Sequence, residues 1–62
     1  MKQVLLDARR SKKLSQSELA SLAGSNRASY SNIESGKRAP SVKLAKRIAT
    51  ILEIDWTIFF KD

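Results

Sequence analysis

The sequence predicts an all-α domain of five short helices, and three observations carry that prediction. Apolar residues recur at helical spacing, most clearly at Val42, Ala45, Ile48, Ala49 and Leu52, which form one continuous stripe. Ser15, Asn26 and Ser41 each stand where a helix would start, with side chains suited to an N-cap. No stretch alternates with period two between turn signals, so no strand is expected. The 62 residues read as one domain covering 1–62, without an internal repeat, a low-complexity segment or a linker. The two glycines and the single proline fall at element boundaries.

The first helix is expected over residues 2–12. Leu5 and Ala8 point inward, with Val4 beside them. Asp7 lies early in this helix, while Arg9, Arg10, Lys12 and Lys13 load its end, a polarity that suits the helix dipole. Leu14 follows as a core residue in the connection. Ser15 then caps a second helix, and Glu18 three residues later completes a capping box. Leu19, Ala20 and Ala23 are its apolar positions, and Gly24 ends it by taking positive φ without steric cost. Asn26 caps a third helix whose core positions are Tyr30 and Ile33, closed by Ser35 and Gly36. Residues 15–36 are thus helix, short glycine-containing turn, helix. In that pattern the second helix enters a DNA major groove.

Lys37, Arg38, Ala39 and Pro40 form a loop in which Pro40 forbids helix continuation and sets Ser41 as the next cap. The fourth helix covers residues 42–52, with Lys43, Lys46 and Arg47 off its apolar stripe. Glu53 and Ile54 make a turn, Asp55 caps, and residues 56–60 form a short last helix whose Trp56 and Phe59 plug the base of the core.

Composition narrows the function classes. Twelve Lys+Arg against six Asp+Glu give a net charge of +6, the electrostatic pattern of a polyanion binder. Without cysteine or histidine there is no disulfide, no thiolate metal site and no imidazole base. Neither a clustered carboxylate pair nor a glycine-rich phosphate loop is present, so an enzyme, a metal site and a cofactor are not expected. No apolar run approaches the ~20 residues that cross a bilayer, and no signal-peptide core opens the chain. An intracellular, soluble protein is therefore expected.

The chain closely resembles the phage-repressor, or Cro/C1-type (Xre), helix-turn-helix family. The resemblance rests on Arg9, on Leu14-Ser15-Gln16, on Glu18-Leu19-Ala20, and on Gly24. It continues through Ile33-Glu34-Ser35-Gly36-Lys37, Pro40-Ser41 and the ending from Leu52 to Phe60, and so covers roughly residues 4–60. It implies a lambda-repressor-like DNA-binding domain that binds a two-fold symmetric operator as a homodimer, at least on DNA. It also implies a bacterial or phage-encoded regulator, cytoplasmic and nucleoid-associated, with no membrane and no small-molecule ligand. Three positions depart from the family pattern: Ser25 replaces an apolar turn residue, Ser35 the more usual Asn, and Glu53 a helix-ending Gly. A non-glycine residue at positive φ costs about 1 kcal/mol, so the Glu53 joint is expected to be strained or bent differently.

With Tyr30 and Ile33 inward, the opposite side of the third helix shows Arg27, Ala28, Ser31 and Asn32. Arg reads guanine O6 and N7, Asn reads adenine N6 and N7, and Ala touches a thymine methyl. The resemblance places Arg27, Ala28 and Asn32 at base-contacting positions and Gln16 at a position that grips phosphate and buttresses the reading helix. In an isolated helix these would be ordinary exposed residues. Phosphate grip is expected from Gln16, Asn26, Ser29, Lys37, Arg38 and Lys43, with Lys46, Arg47 and Lys61 supplying solubility and long-range attraction. The resemblance pairs Arg9 with Glu34 as a structural ion pair. Leu44, Ile51, Ile58 and Phe60 exceed what one small core requires and are expected to form a homodimer patch. Two other functions compete with operator binding: a protein-interaction module of antitoxin-like kind, and a sequence-indifferent nucleic-acid binder.

Overall fold

The computed structural model describes residues 3–60. It contains α1 (Gln3–Ser11), α2 (Gln16–Leu22), α3 (Arg27–Ser35) and α4 (Val42–Leu52), followed by a 3-10 helix (Trp56–Phe60). The described residues include no strand. The all-α class holds, but the fifth element is a 3-10 turn and not an α-helix. Five residues with an Asp cap favour this tighter winding: the Asp55 carboxylate accepts from the Thr57 N–H at 2.9 Å and from its hydroxyl at 2.8 Å. Lys2 and Lys61 lie outside the described residues.

The three predicted caps form. Ser15 Oγ accepts from Glu18 N at 3.0 Å while the Glu18 carboxylate accepts from Ser15 N at 2.9 Å. Asn26 Oδ1 accepts from Ser29 N at 2.8 Å and Ser41 Oγ from Leu44 N at 3.1 Å. Each satisfies an N–H that the helix itself leaves open.

Each α-helix sends one large side chain into a shared core. Leu5, Leu19, Tyr30 and Ile48, from α1, α2, α3 and α4 in turn, are fully buried. Ala20, Ala23, Ile33, Ala45, Leu52 and Phe59 fill the space between them. Burying each large apolar side chain contributes about 1.5–3 kcal/mol, which is how so short a chain holds together without a cross-link. Two expected inward positions are instead half open to solvent, Val42 at 49% and Val4 at 46%. Both lie in the first turn of their helices, where no neighbouring element covers them. At the base of the core Phe59 is buried, and Trp56 packs against that core from a half-buried position with its ring meeting Phe60 edge-on at 6.0 Å.

Two helix ends turn without glycine. Glu53 takes left-handed φ 58° and Lys13 φ 57°. The bend expected at Glu53 is therefore a regular left-handed cap. The Ile54 N–H closes it on Ala49 O at 3.0 Å, and Lys12 reaches across to bond the Glu53 carboxylate.

Candidate nucleic-acid interface

The α2–α3 turn is built by backbone. Gly24 sits at φ 74°, its N–H donates to Ser21 O at 3.1 Å, and the Ser25 N–H donates to Ala20 O at 2.8 Å. A side chain at Gly24 would be both left-handed and only 3.1 Å from a guanidinium nitrogen of Arg47. Ser25, where the family prefers an apolar residue, is half-buried and still closes the turn through its own N–H.

Behind the reading helix lies a buried carboxylate with three side-chain donors. Glu34 is 3% exposed. Arg9 donates through Nε to Oε1 at 2.9 Å, Gln16 through Nε2 to Oε2 at 2.6 Å, and the Tyr30 hydroxyl to Oε1 at 3.1 Å. Arg9 also donates to the carbonyl of Leu14 at 2.9 Å, which ties the α1–α2 connection to the same point. Burial works to raise the Glu34 carboxyl, but the bonds from Arg9, Gln16 and Tyr30 together outweigh it and hold the group below the ordinary carboxylate range. Tyr30 is pushed well up, first by burial and then by the negative charge of Glu34. Arg9 is held more firmly protonated by its bond to Glu34. The expected partner pair Arg9 and Glu34 thus sits inside a four-residue network. The Tyr30 and Gln16 links were missed in the sequence, although Tyr30 and Glu34 stand at i,i+4 on one helix.

The front of α3 presents the expected reading set. Arg27 and Ala28 are exposed, and Ser31 and Asn32 are half-buried. Their i, i+1, i+4, i+5 spacing puts them on one face, away from Tyr30 and Ile33. Gln16 is half-buried at the start of α2; its Nε2 gives one hydrogen to Glu34 and keeps a second for another acceptor. Asn26 spends its Oδ1 on the cap, which leaves only its NH₂ to meet an anion. Ser29 is half-buried, next to a hollow of about 190 Å³ walled on its far side by Arg38, Pro40 and Ser41. Lys43 is exposed on the first turn of α4.

Past the reading helix, Gly36 at φ 86° folds the chain back. The N–H groups of Lys37 and Arg38 both donate to Asn32 O, at 2.9 and 3.2 Å. This helix-ending motif anchors the two basic residues to the backbone of Asn32. Lys37 and Arg38 are exposed.

The four residues expected to form a dimer patch are exposed to different degrees. Leu44, Ile51 and Ile58 are half-buried and packed against the core, so they serve the fold as well as any partner. The apolar stripe of α4 is wide, and its edges are partly covered by neighbouring elements. Phe60 is 47% exposed. Lys46, assigned to solubility, lies over the Trp56 ring at 5.1 Å from its centre.

No described helix is long and apolar enough to cross a membrane. No solved structure gives a significant match. Over all of its 62 residues the chain is 45% identical to the uncharacterized HTH-type transcriptional regulator YqaF of Bacillus subtilis (strain 168), covering 82% of that protein. Over 55 residues it is 36% identical to the ImmF control region 10 kDa protein of Bacillus phage phi105, covering 61% of it. The helix-turn-helix family model matches residues 5–59, which include the capped α2, the glycine turn, α3 and the buried network behind it. The chain belongs to the Cro/C1-type (Xre) helix-turn-helix family.

Proposed function

We propose that this chain is a cytoplasmic transcriptional repressor that binds a two-fold symmetric operator as a dimer. Membership in the helix-turn-helix family makes it a DNA-binding transcriptional regulator. The observation that carries the finer reading is the arrangement around α3. Arg27, Ala28, Ser31 and Asn32 share its outer face, and Lys37 and Arg38 are bonded to the carbonyl of Asn32 just beyond it. With α3 in the major groove, Arg27 and Asn32 read base edges while Gln16, Asn26, Ser29, Lys37, Arg38 and Lys43 meet phosphates. Two copies place their reading helices about one helical turn, ~34 Å, apart and block access to a promoter. Phe60, with the outer edges of Leu44, Ile51 and Ile58, supplies the contact between the copies.

Selection of bound sequences from a random DNA pool tests this directly. The expected product is a two-fold symmetric consensus. An asymmetric single site would overturn the dimer, and no enrichment over random DNA would overturn sequence-specific reading.

A further inference from the structure

The large apolar side chain most open to solvent among the described residues is Leu22, at 63% exposure. It is the last residue of α2, three positions after the buried Leu19, and stays open to solvent beside the buried Ala23. Two shallow grooves meet at this residue. One, of about 410 Å³, runs along α2 past Ser17, Glu18 and Ser21 to Leu14. The other, of about 350 Å³, runs across α4 past Lys46, Arg47 and Thr50 to Ile51. A lone exposed leucine is ordinary, but one that forms the common wall of two grooves, each with a further aliphatic wall, is a connected apolar surface.

The α4 edge of that surface is basic. Lys46 and Arg47 are exposed, and among the described residues neither has a carboxylate within 4.0 Å. The acid on the α2 side, Glu18, is already engaged by the Ser15 backbone N–H. A DNA phosphate chain would use the two cations but gains nothing from Leu14, Leu22 and Ile51. A second copy of this chain would bring its own share of a +6 net charge against them. What fits is a helix with an apolar stripe to seat on Leu22 and acidic side chains along the edge that faces α4.

We propose that the α2–α4 face centred on Leu22 is the docking surface for an acidic amphipathic helix of another protein. None of the residues lining the two grooves belongs to the proposed DNA-reading or phosphate-gripping set, and only Ile51, at the far end of the α4 groove, is shared with the proposed contact between copies, so the docked helix leaves the DNA-facing side of α3 open. The inference stands on this surface alone and does not depend on the operator reading.

The probe is a short helical peptide with leucines at i,i+3 and i,i+4 spacing and glutamates along one edge. Its control is the same peptide with every glutamate replaced by lysine. Titrated into the ¹⁵N-labelled full chain, the acidic peptide should shift the amides of Ser21, Leu22, Lys46, Arg47 and Ile51. Leu22→Ser and the pair Lys46→Glu, Arg47→Glu should each weaken binding about tenfold, or about 1.4 kcal/mol. Leu22 is exposed, so Leu22→Ser should keep the helical spectrum, and its affinity for random duplex DNA should stay within about twofold. Four outcomes overturn the proposal: no shift at this face, equal binding of the lysine peptide, shifts centred on Arg27, Lys37 and Arg38, and shifts at the Leu22 face caused by duplex DNA. Leu22-dependent self-association in sedimentation would assign the face to a second copy instead.

Discussion

Helix α3 is held differently on its two faces. On the back, Tyr30, Ile33 and Glu34 are buried, and no buried side-chain polar atom among the described residues lacks a partner. On the front, Arg27 and Ala28 lie open to solvent. The back face fixes how the front one is presented. A long exposed arginine has many rotamers, so in the proposed reading role it depends on a helix that does not rock. Glu34 joins α1 through Arg9, the start of α2 through Gln16, and its own helix through Tyr30. Burying a carboxylate costs several kcal/mol unless its lone pairs are met by donors, and here three side chains meet them.

The largest expected effect breaks the back face. Glu34→Ala leaves Arg9 without its partner and the Tyr30 hydroxyl buried without an acceptor, at a cost of about 3–5 kcal/mol. A domain of this size has roughly 3–9 kcal/mol in all, at 0.05–0.15 per residue, so the variant should lose at least about a third of its stability. Urea titration followed by circular dichroism measures this. A loss under ~1 kcal/mol would reduce the network to a surface bridge. The pH profile sharpens the same point. The Glu34 carboxyl is held below its ordinary value of 4.5, so its contribution is complete above that value and lost as pH falls through the lower folded one. Tyr30 is raised above 10.0, so its contribution is complete below 10.0 and lost as pH climbs through the higher folded value. Stability should form a plateau between those limits. Tyr30→Phe should flatten the alkaline limb. Glu34→Gln should weaken the acid limb without abolishing it, because Ser15 also holds Glu18 below its ordinary value.

Changes on the front face should leave stability alone and alter recognition. Asn32→Ala should cost about 1–3 kcal/mol of discrimination at one base pair of the selected site. Lys37→Ala should weaken all sequences alike and lower the log–log salt slope by about 0.9. Fluorescence anisotropy on the consensus and on random duplex, each at several salt concentrations, separates the two. Equal loss on both duplexes for Asn32→Ala would remove that residue from the reading set.

The two faces also differed in how far the sequence exposed them. Helices α2 and α3 and the turn between them were legible because caps and glycines act locally: Ser15, Asn26, Gly24 and Gly36 each fix their own few residues. Arg9 and Glu34, twenty-five residues apart, came together only through the family resemblance. Gln16 was legible as a buttress but not as a donor to a particular carboxylate, because that depends on how α2 meets α3. Periodicity gave the stripe of α4 but not what covers its edges. Val42 was therefore expected to be buried, and Leu44, Ile51 and Ile58 more exposed than they are. Helical spacing picked out Leu19, Ala20 and Ala23 on α2 and left Leu22 without a place. Its exposure follows from the chain turning away at Ala23 and Gly24.

The smallest expected effect lies at the joint that departs from the family. Glu53 holds φ 58°, ψ 47°, a conformation that costs an ordinary residue about 1 kcal/mol and glycine nothing. Its carboxylate bonds Lys12, a contact worth about 0–1 kcal/mol at the surface. Glu53→Gly removes both terms, so the net should be a gain of about 0–1 kcal/mol. At 4–8 °C per kcal/mol for a chain near this length, that means a rise of at most about 8 °C in Tm. Two further variants separate the terms. Lys12→Ala removes the contact and keeps the strain, and should lower Tm slightly. Lys12→Ala with Glu53→Gly should match Glu53→Gly alone, since no bond remains to lose. If Glu53→Gly instead lowers Tm while the double variant restores it, an unpaired Lys12 beside α4 carries the cost, and the bridge to Glu53 outweighs the strain of the turn that supports it.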